Sequence, residues 1–307
     1  MTDTNSLSPS DQRMLLCLYQ HRLLTTNQLY VLVADLAANR RWIRERLAAL
    51  HAAGLVDRVR ASGQQRLFAW YATDLGARLA ESSASVPARP YRVTPELAGG
   101  PLQGHTLAVN AVGASFVAHA ARLAESGYEC SPLDWIPEVA HRLSDHANGP
   151  MLVSDAVIRC VVPRASTRVL VRAFLELDRA TMSVERLAEK IGAYGRYHAY
   201  RPGAGQPGRT VAGARPAWQH LYPAWPRLMF VFAQPAGRRV ALEARIQDLA
   251  MLTQRSLHRG QLPREMEITA CLLDDLAEHG PFAPIHSDLV TGEAQVALFG
   301  SSTRGAG

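Results

Sequence analysis

The stretch RAFLELDRAT, residues 172–181, begins as a buried strand and ends on charge. Glu176 and Asp178 stand two apart with Leu177 between them, so a strand through them aims both carboxylates at one face. Two like charges held that close repel unless something positive stands opposite. The surrounding pattern supports the strand. TRVLVRAFLELD (167–178) follows two further strand-like runs, DWIPEVAHRL (134–143) and MLVSDAVIRCVV (151–162). Before these comes a long helical pattern, HTLAVNAVGASFVAHAARLAESG (105–127), closed by Gly127. After the strand end, SVERLAEKIGAYGRYHAY carries Val184, Leu187, Ile191, Tyr194 and His198 along one helical stripe. A strand (RLMFVFAQP), a helix (LEARIQDLAMLTQRSLHRG) and a last strand (MEITACLLDD) complete this half.

The chain has 307 residues, 48% of them hydrophobic, enough for two domains. No run approaches the ~18 apolar residues of a membrane helix, and the polar start MTDTNSLSPSDQ lacks a signal-peptide core. A cytoplasmic protein is expected. Cys17, Cys130, Cys160 and Cys271 are scattered without paired spacing, which argues against a zinc site or a disulfide framework. The net charge of +6 leans toward an anionic partner. Of the 33 basic residues all but Lys190 are arginine, so the single lysine calls for a reason.

The first third reads as three helices and a hairpin. PSDQRMLLCLYQ opens with Pro9 and Asp11 and buries Met14, Leu15, Leu18 and Tyr19. TTNQLYVLVA is a second helix capped by Thr26 or Asn27. The third, NRRWIRERLAALHAAG, turns Ile43, Leu47 and Leu50 inward and stops at Gly54. Two alternating strands around Ser62-Gly63 and a helix, DLGARLAE, follow. The Ser-, Pro- and Gly-rich segment 82–104 breaks every period. The domain limits expected are therefore 1–81, a linker at 82–104, 105–279, and a tail at 280–307.

This first third resembles a winged helix-turn-helix domain. The resemblance implies that Arg40, Arg41, Arg44 and Arg46, at the start of the third helix, contact double-stranded DNA in the major groove. Arg58, Arg60 and Arg66 on the hairpin would then reach phosphates. The alternative is an arginine-rich helix that is merely solvated.

Helix, three strands, helix, strand is similar to the core order of the PD-(D/E)XK nuclease superfamily, so the fold class expected is α+β with a restriction-endonuclease-like second domain. That resemblance implies Asp155, Glu176 and Asp178 as carboxylates holding Mg (or Mn), with the metal as the positive partner of the strand end. It also exposes a departure: Asp178 stands where the superfamily carries its lysine, and Lys190 on the next helix would return an ammonium group to the site. Glu138 is a further candidate ligand, set against a plain surface charge. Through GHTLAVNAV, WIPE, VSDAVI, FLELDRAT, EKIGAY and RLMFVF, over residues 12 to about 275, the chain resembles the replication-relaxation proteins of actinobacterial plasmids and integrative elements.

The resemblance implies a DNA-binding protein of plasmid or mobile-element replication or relaxation, with a metal-dependent phosphodiesterase site formed by Asp155, Glu176, Asp178 and Lys190. The alternative is a catalytically inactive nuclease-fold regulator of transcription or copy number, its carboxylates pairing with Arg172, Arg179 or Lys190 and its second domain serving to dimerise or grip DNA. A homodimer is a further expectation. No glycine-rich phosphate loop appears, so no nucleotide cofactor is expected, nor a membrane partner. His105 and His198 read as core or capping residues. The insertion at 201–226 ends in Trp218, Tyr222 and Trp225, which would either stack bases or cover the sheet edge.

Overall fold

The computed structural model describes residues 7–37, 39–62, 67–203, 215–233 and 239–299. The chain is a mixed α+β protein that divides into two compact units, Met1–Pro137 and Glu138–Gly307.

The first unit opens with α1 (Pro9–His21), whose start is fixed by Pro9 in the first turn and by Ser8, which accepts from Asp11 N. A two-residue strand, β1 (Leu24–Thr25), leads into α2 (Thr26–Leu32). The α2 cap is Thr25, not Thr26 or Asn27, and it forms a reciprocal capping box with Gln28. Asn39 caps α3 (Arg40–Ala52) through Trp42 N. Gly54, at φ 72°, takes the left-handed turn that ends it. β2 (Val56–Arg60) and β3 (Phe68–Ala72) form the hairpin, in register from Val56 opposite Ala72 to Arg60 opposite Phe68. β1 adds to the other edge of β3, giving the order β1-β3-β2. α4 (Asp74–Ser82) and the short α5 (Pro95–Ala98) follow. Met14, Leu15, Leu18, Tyr19, Ile43, Leu47 and Leu50 are buried, as their spacing predicts.

The long helix α6 (Gln103–Arg122) belongs to this unit, so the division falls beyond the 82–104 linker. Polar side chains tie it down. Gln28 Nε2 donates to Leu107 O at 2.7 Å, and Asn110 Nδ2 donates to His21 O at 2.9 Å and Leu23 O at 2.7 Å. Trp135 Nε1 reaches Asn110 Oδ1 at 3.3 Å, and the Trp135 ring stacks on His21 at 3.7 Å. Asn110 was an available signal: a buried amide must satisfy its hydrogen bonds somewhere specific.

The second unit carries the six-stranded sheet, in the order β4-β5-β6-β7-β8-β9. Its strands are β4 (Trp135–Arg142), β5 (Met151–Arg164), β6 (Thr167–Asp178), β7 (Arg227–Phe232), β8 (Ile268–Leu272) and β9 (Ser287–Asp288). β5 and β6 are an antiparallel hairpin, β7 and β8 continue in parallel, and β9 returns antiparallel. α7 (Val184–Ala199) and α8 (Arg239–His258) cover one face, where Phe174, Leu187, Ile191, Tyr194, Phe230 and Leu249 form the core. α9 (Leu273–His279) follows β8.

The segment 280–307 was expected as a tail outside the second domain. Instead β9 pairs with β8, and Leu289 and Leu298 are fully buried, a contribution too short to register as a period. Among the described residues no helix is long and apolar enough to cross a membrane.

Gly113 lies under Trp135, and a Cβ there would sit 2.4 Å from the indole ring. Gly113→Val should therefore cost about 1–3 kcal/mol as overpacking, read as a lower melting temperature. An unchanged melt would contradict this packing of α6.

Candidate functional site

Glu176 is deeply placed, at 3% exposure. Both of its oxygens are engaged: Tyr194 OH donates to Oε1 at 2.5 Å, and Lys190 Nζ is ion-paired to Oε2. Lys190 and Tyr194 come from α7, one turn apart on the face toward the sheet. Asp155 joins them from β5, its Oδ1 at 3.9 Å from Lys190 Nζ and its Oδ2 accepting from Leu177 N at 2.7 Å.

The backbone of β5 aims Asp155 by breaking its own alternation. The regular β5–β6 ladder begins at Ala156 opposite Leu175. Before that point Leu152 packs in the α7 core and the Ser154 hydroxyl meets Tyr194; after it Val157 packs in the same core. Asp155, the neighbour of Ser154, faces that way too, so the pleat slips by one residue there, as in a β-bulge. Ser154 Oγ also lies 3.3 Å from Val139 O on β4.

Asp178 shares the Glu176 face but has a different cation. Its Oδ2 is 2.6 Å from Arg245 Nη2 on α8, and Arg245 also donates to Met182 O at 2.7 Å. The positive partners that the strand end requires are thus Lys190 for Glu176 and Arg245 for Asp178. Asp155, Glu176 and Lys190 are brought together, whereas Asp178 is held apart at 1% exposure. Among the described residues no group of three or more His, Cys, Asp or Glu is placed to hold a metal ion. Asp155 and Glu176 are two hard oxygen donors around one lysine, a set that suits a magnesium ion carried by one or two carboxylates and water. Of the cations weighed as partners, Lys190 pairs with Asp155 and Glu176, and Arg245, which was not weighed, pairs with Asp178.

Electrostatics follow from burial. Desolvation, followed by the nearby Asp155 charge, pushes the Glu176 carboxyl up to about 8, with Lys190 and Tyr194 offsetting only part of it. Burial pulls the Lys190 ammonium down, but Glu176 and then Asp155 outweigh this and its net shift is upward. Asp155 and Glu176 thus bring two carboxylates to one ammonium, and a proton on Glu176 relieves their repulsion.

In the first unit the arginines separate into two groups. Arg40, Arg41 and Arg44 are exposed on the first turns of α3; Arg40 lies over Tyr30 and Arg41 pairs with Glu45 at 2.9 Å. Arg46 instead points inward, 2.5 Å from Asp11, a buried acid at 2% exposure. It anchors α3 to α1, and its place one turn beyond the cluster was the only hint. Arg58 is exposed and stacks over Phe68 at 4.3 Å and Trp70 at 5.1 Å, and Arg60 lies over Phe68 at 5.5 Å. Arg66 lies outside the described residues. A cleft of about 370 Å³ between α2, α3 and the hairpin is lined by Arg44, His51, Arg58, Phe68 and Trp70.

Sequence reasoning missed Tyr194 and Arg245 as site partners. Tyr194 was read only as core, because its hydroxyl has no periodic signature. Glu138 is exposed on β4 at φ 52°, a conformation costly for a residue with a side chain. His198 stacks on Trp218 and lies 3.6 Å from Glu265. Trp225 and Tyr222 pack edge-on against Phe174, and Tyr222 OH shares a 2.7 Å hydrogen bond with His141 Nε2, so these aromatics cover the sheet.

A carboxyl whose folded pKa is raised contributes stability that is present below its unfolded value, about 4.3, and lost as pH climbs through the folded value. Wild type should therefore lose stability relative to Glu176→Gln as pH rises from about 5 to about 8. Paired thermal melts across that range check it, and a constant offset would show an ordinary carboxylate.

The chain matches no curated protein and no solved structure. A family model described as replication-relaxation matches residues 15–210, a span that takes in α3 and the Asp155, Glu176 and Lys190 cluster. With more than half of its length so matched, the chain belongs to the replication-relaxation family.

Proposed function

We propose that this is a DNA-binding protein serving replication or relaxation of a plasmid or mobile element, with a metal-dependent phosphodiester site in its second unit. The observation that carries the proposal is the meeting of Asp155, Glu176 and Lys190, from two strands and a helix, in one half-enclosed cluster. Asp155 and Glu176 would hold magnesium or manganese, which supplies an activated water and neutralises charge on the phosphate. Lys190 orients the water or stabilises charge developing on the phosphate. The first unit acts as a winged helix, with Arg40, Arg41 and Arg44 on α3 entering the major groove of duplex DNA and Arg58 and Arg60 on the neighbouring phosphates.

A second reading has its own support. Both Glu176 oxygens are satisfied by Tyr194 and Lys190, and Asp178 is clamped by Arg245. A DNA-binding regulator that has kept a nuclease-like scaffold without cleavage would look the same in these contacts.

Replacing Arg40, Arg41 and Arg44 together with Ala should remove sequence-selective duplex binding while changing stability by no more than ~0.5 kcal/mol per exposed site. Retained selectivity in the folded variant would displace α3 as the reader.

Magnesium or manganese separates enzyme from scaffold. Binding only to the folded state raises the melting temperature by mass action, and Glu176→Gln should abolish that rise together with nicking of supercoiled DNA. Metal-independent melting and no nicking in wild type would establish the scaffold reading.

A further inference from the structure

Between Ala156 and Leu175 the chain carries four arginines, Arg159, Arg164, Arg168 and Arg172, and no acidic residue. This is the outer part of the β5–β6 hairpin. β7 pairs with β6 only from Ala173 onward, so the six residue pairs from Arg159 opposite Arg172 to Arg164 opposite Thr167 extend past it as a two-stranded ribbon. The two faces of the ribbon differ. Cys160 and Val162 are buried on one. On the other, the register aligns Arg159 with Arg172, Val161 with Leu170 and Pro163 with Arg168. Arg159 and Arg168 are exposed there, and Leu170 is 47% exposed.

That second face points along β6 toward the candidate site, with the buried Phe174 under Tyr222 and Trp225 between the two. Arg172, Phe174 and Glu176 alternate along one strand, so all three share a face. At ~3.3 Å per residue, Arg172 stands ~13 Å from Glu176 and Arg168 ~26 Å, a line of guanidinium groups leading away from the carboxylates. Arg159 and Arg172 are direct cross-strand neighbours, a like-charge juxtaposition that costs stability. An anion lying along the ribbon reverses the sign of that interaction. Guanidinium groups bind phosphate through paired N–H donors, and an exposed apolar side chain among them, Leu170, suits contact with sugar rather than with a small inorganic ion.

We infer that this face of the β5–β6 ribbon is a track for the phosphate backbone of DNA, on the same unit as Asp155, Glu176 and Lys190. The inference rests on the DNA-binding reading above for its ligand, but binding along the ribbon is measured separately from the phosphodiester site. It adds a DNA contact in the second unit, independent of α3, that is insensitive to base sequence.

The test uses the full chain and a fluorescently labelled duplex of arbitrary sequence, with affinity measured over a sodium chloride series. Each phosphate contact contributes ~0.9 to the slope of log K against log salt. The combined Arg159→Gln, Arg168→Gln and Arg172→Gln variant should therefore show a slope shallower by about 2–3, and equally so for unrelated sequences. Arg172 is half-buried, so Arg168→Glu, at an exposed position, serves as a second variant: it should weaken low-salt binding several-fold with an unchanged melt. A slope and affinity equal to wild type in the folded variants would overturn the track. A shallower slope without metal-dependent nicking by wild type supports the track and counts against the phosphodiester reading; nicking with an unchanged slope does the reverse.

Discussion

A carboxylate buried at the end of a central strand is the constraint on which the second unit is built. Glu176 lies at 3% exposure on β6, and an ionised carboxylate so placed costs several kcal/mol unless it is paired and hydrogen-bonded. Lys190 and Tyr194 meet that demand from a single helix. α7 must therefore dock in one rotation and at one height, with Leu187 and Ile191 inward and the lysine over the strand end. The same demand recurs two residues on, where Asp178 fixes α8 through Arg245. Two charges on one strand thus determine the seating of the two helices that cover the sheet.

This explains why the site is both rigid and frustrated. Asp155 is drawn in by a slip of the β5 pleat, and its presence makes the Glu176 charge harder to keep. Replacing such a polar cluster with apolar residues of similar volume is often neutral or stabilising, so a fold selected for stability alone has little use for it. On the reading proposed above, a cation would answer the negative charge that Asp155 and Glu176 bring together. Lys190, the single lysine in the chain, is the group that moderates this charge.

Much of the fold was legible because its period was clean. The strands at 151–162 and 167–178 and the helix at 183–200 were recognisable from apolar spacing, and the one lysine drew notice through composition. What escaped notice depended on long-range pairing. Nothing local says that Arg245 will reach Asp178 across 67 residues, or that Arg46 will turn from its arginine cluster to Asp11. The affiliation of α6 was hidden for the same reason: its apolar stripe fits either unit, and long-range hydrogen bonds such as those of Asn110 and Gln28 decide. The slip at Ser154 and Asp155 has no sequence period at all, since a bulge is an interruption of one.

The account stands or falls on the state of Glu176. A carbon-13 carboxyl titration of glutamate-labelled protein, with the Glu176 resonance assigned by its loss in Glu176→Gln, reads that state directly. The account predicts a midpoint well above the ordinary glutamate value in metal-free protein, moving downward when magnesium is added. A midpoint near 4.3 that magnesium leaves unchanged would contradict it, and the cluster would then be a structural ion pair and nothing more.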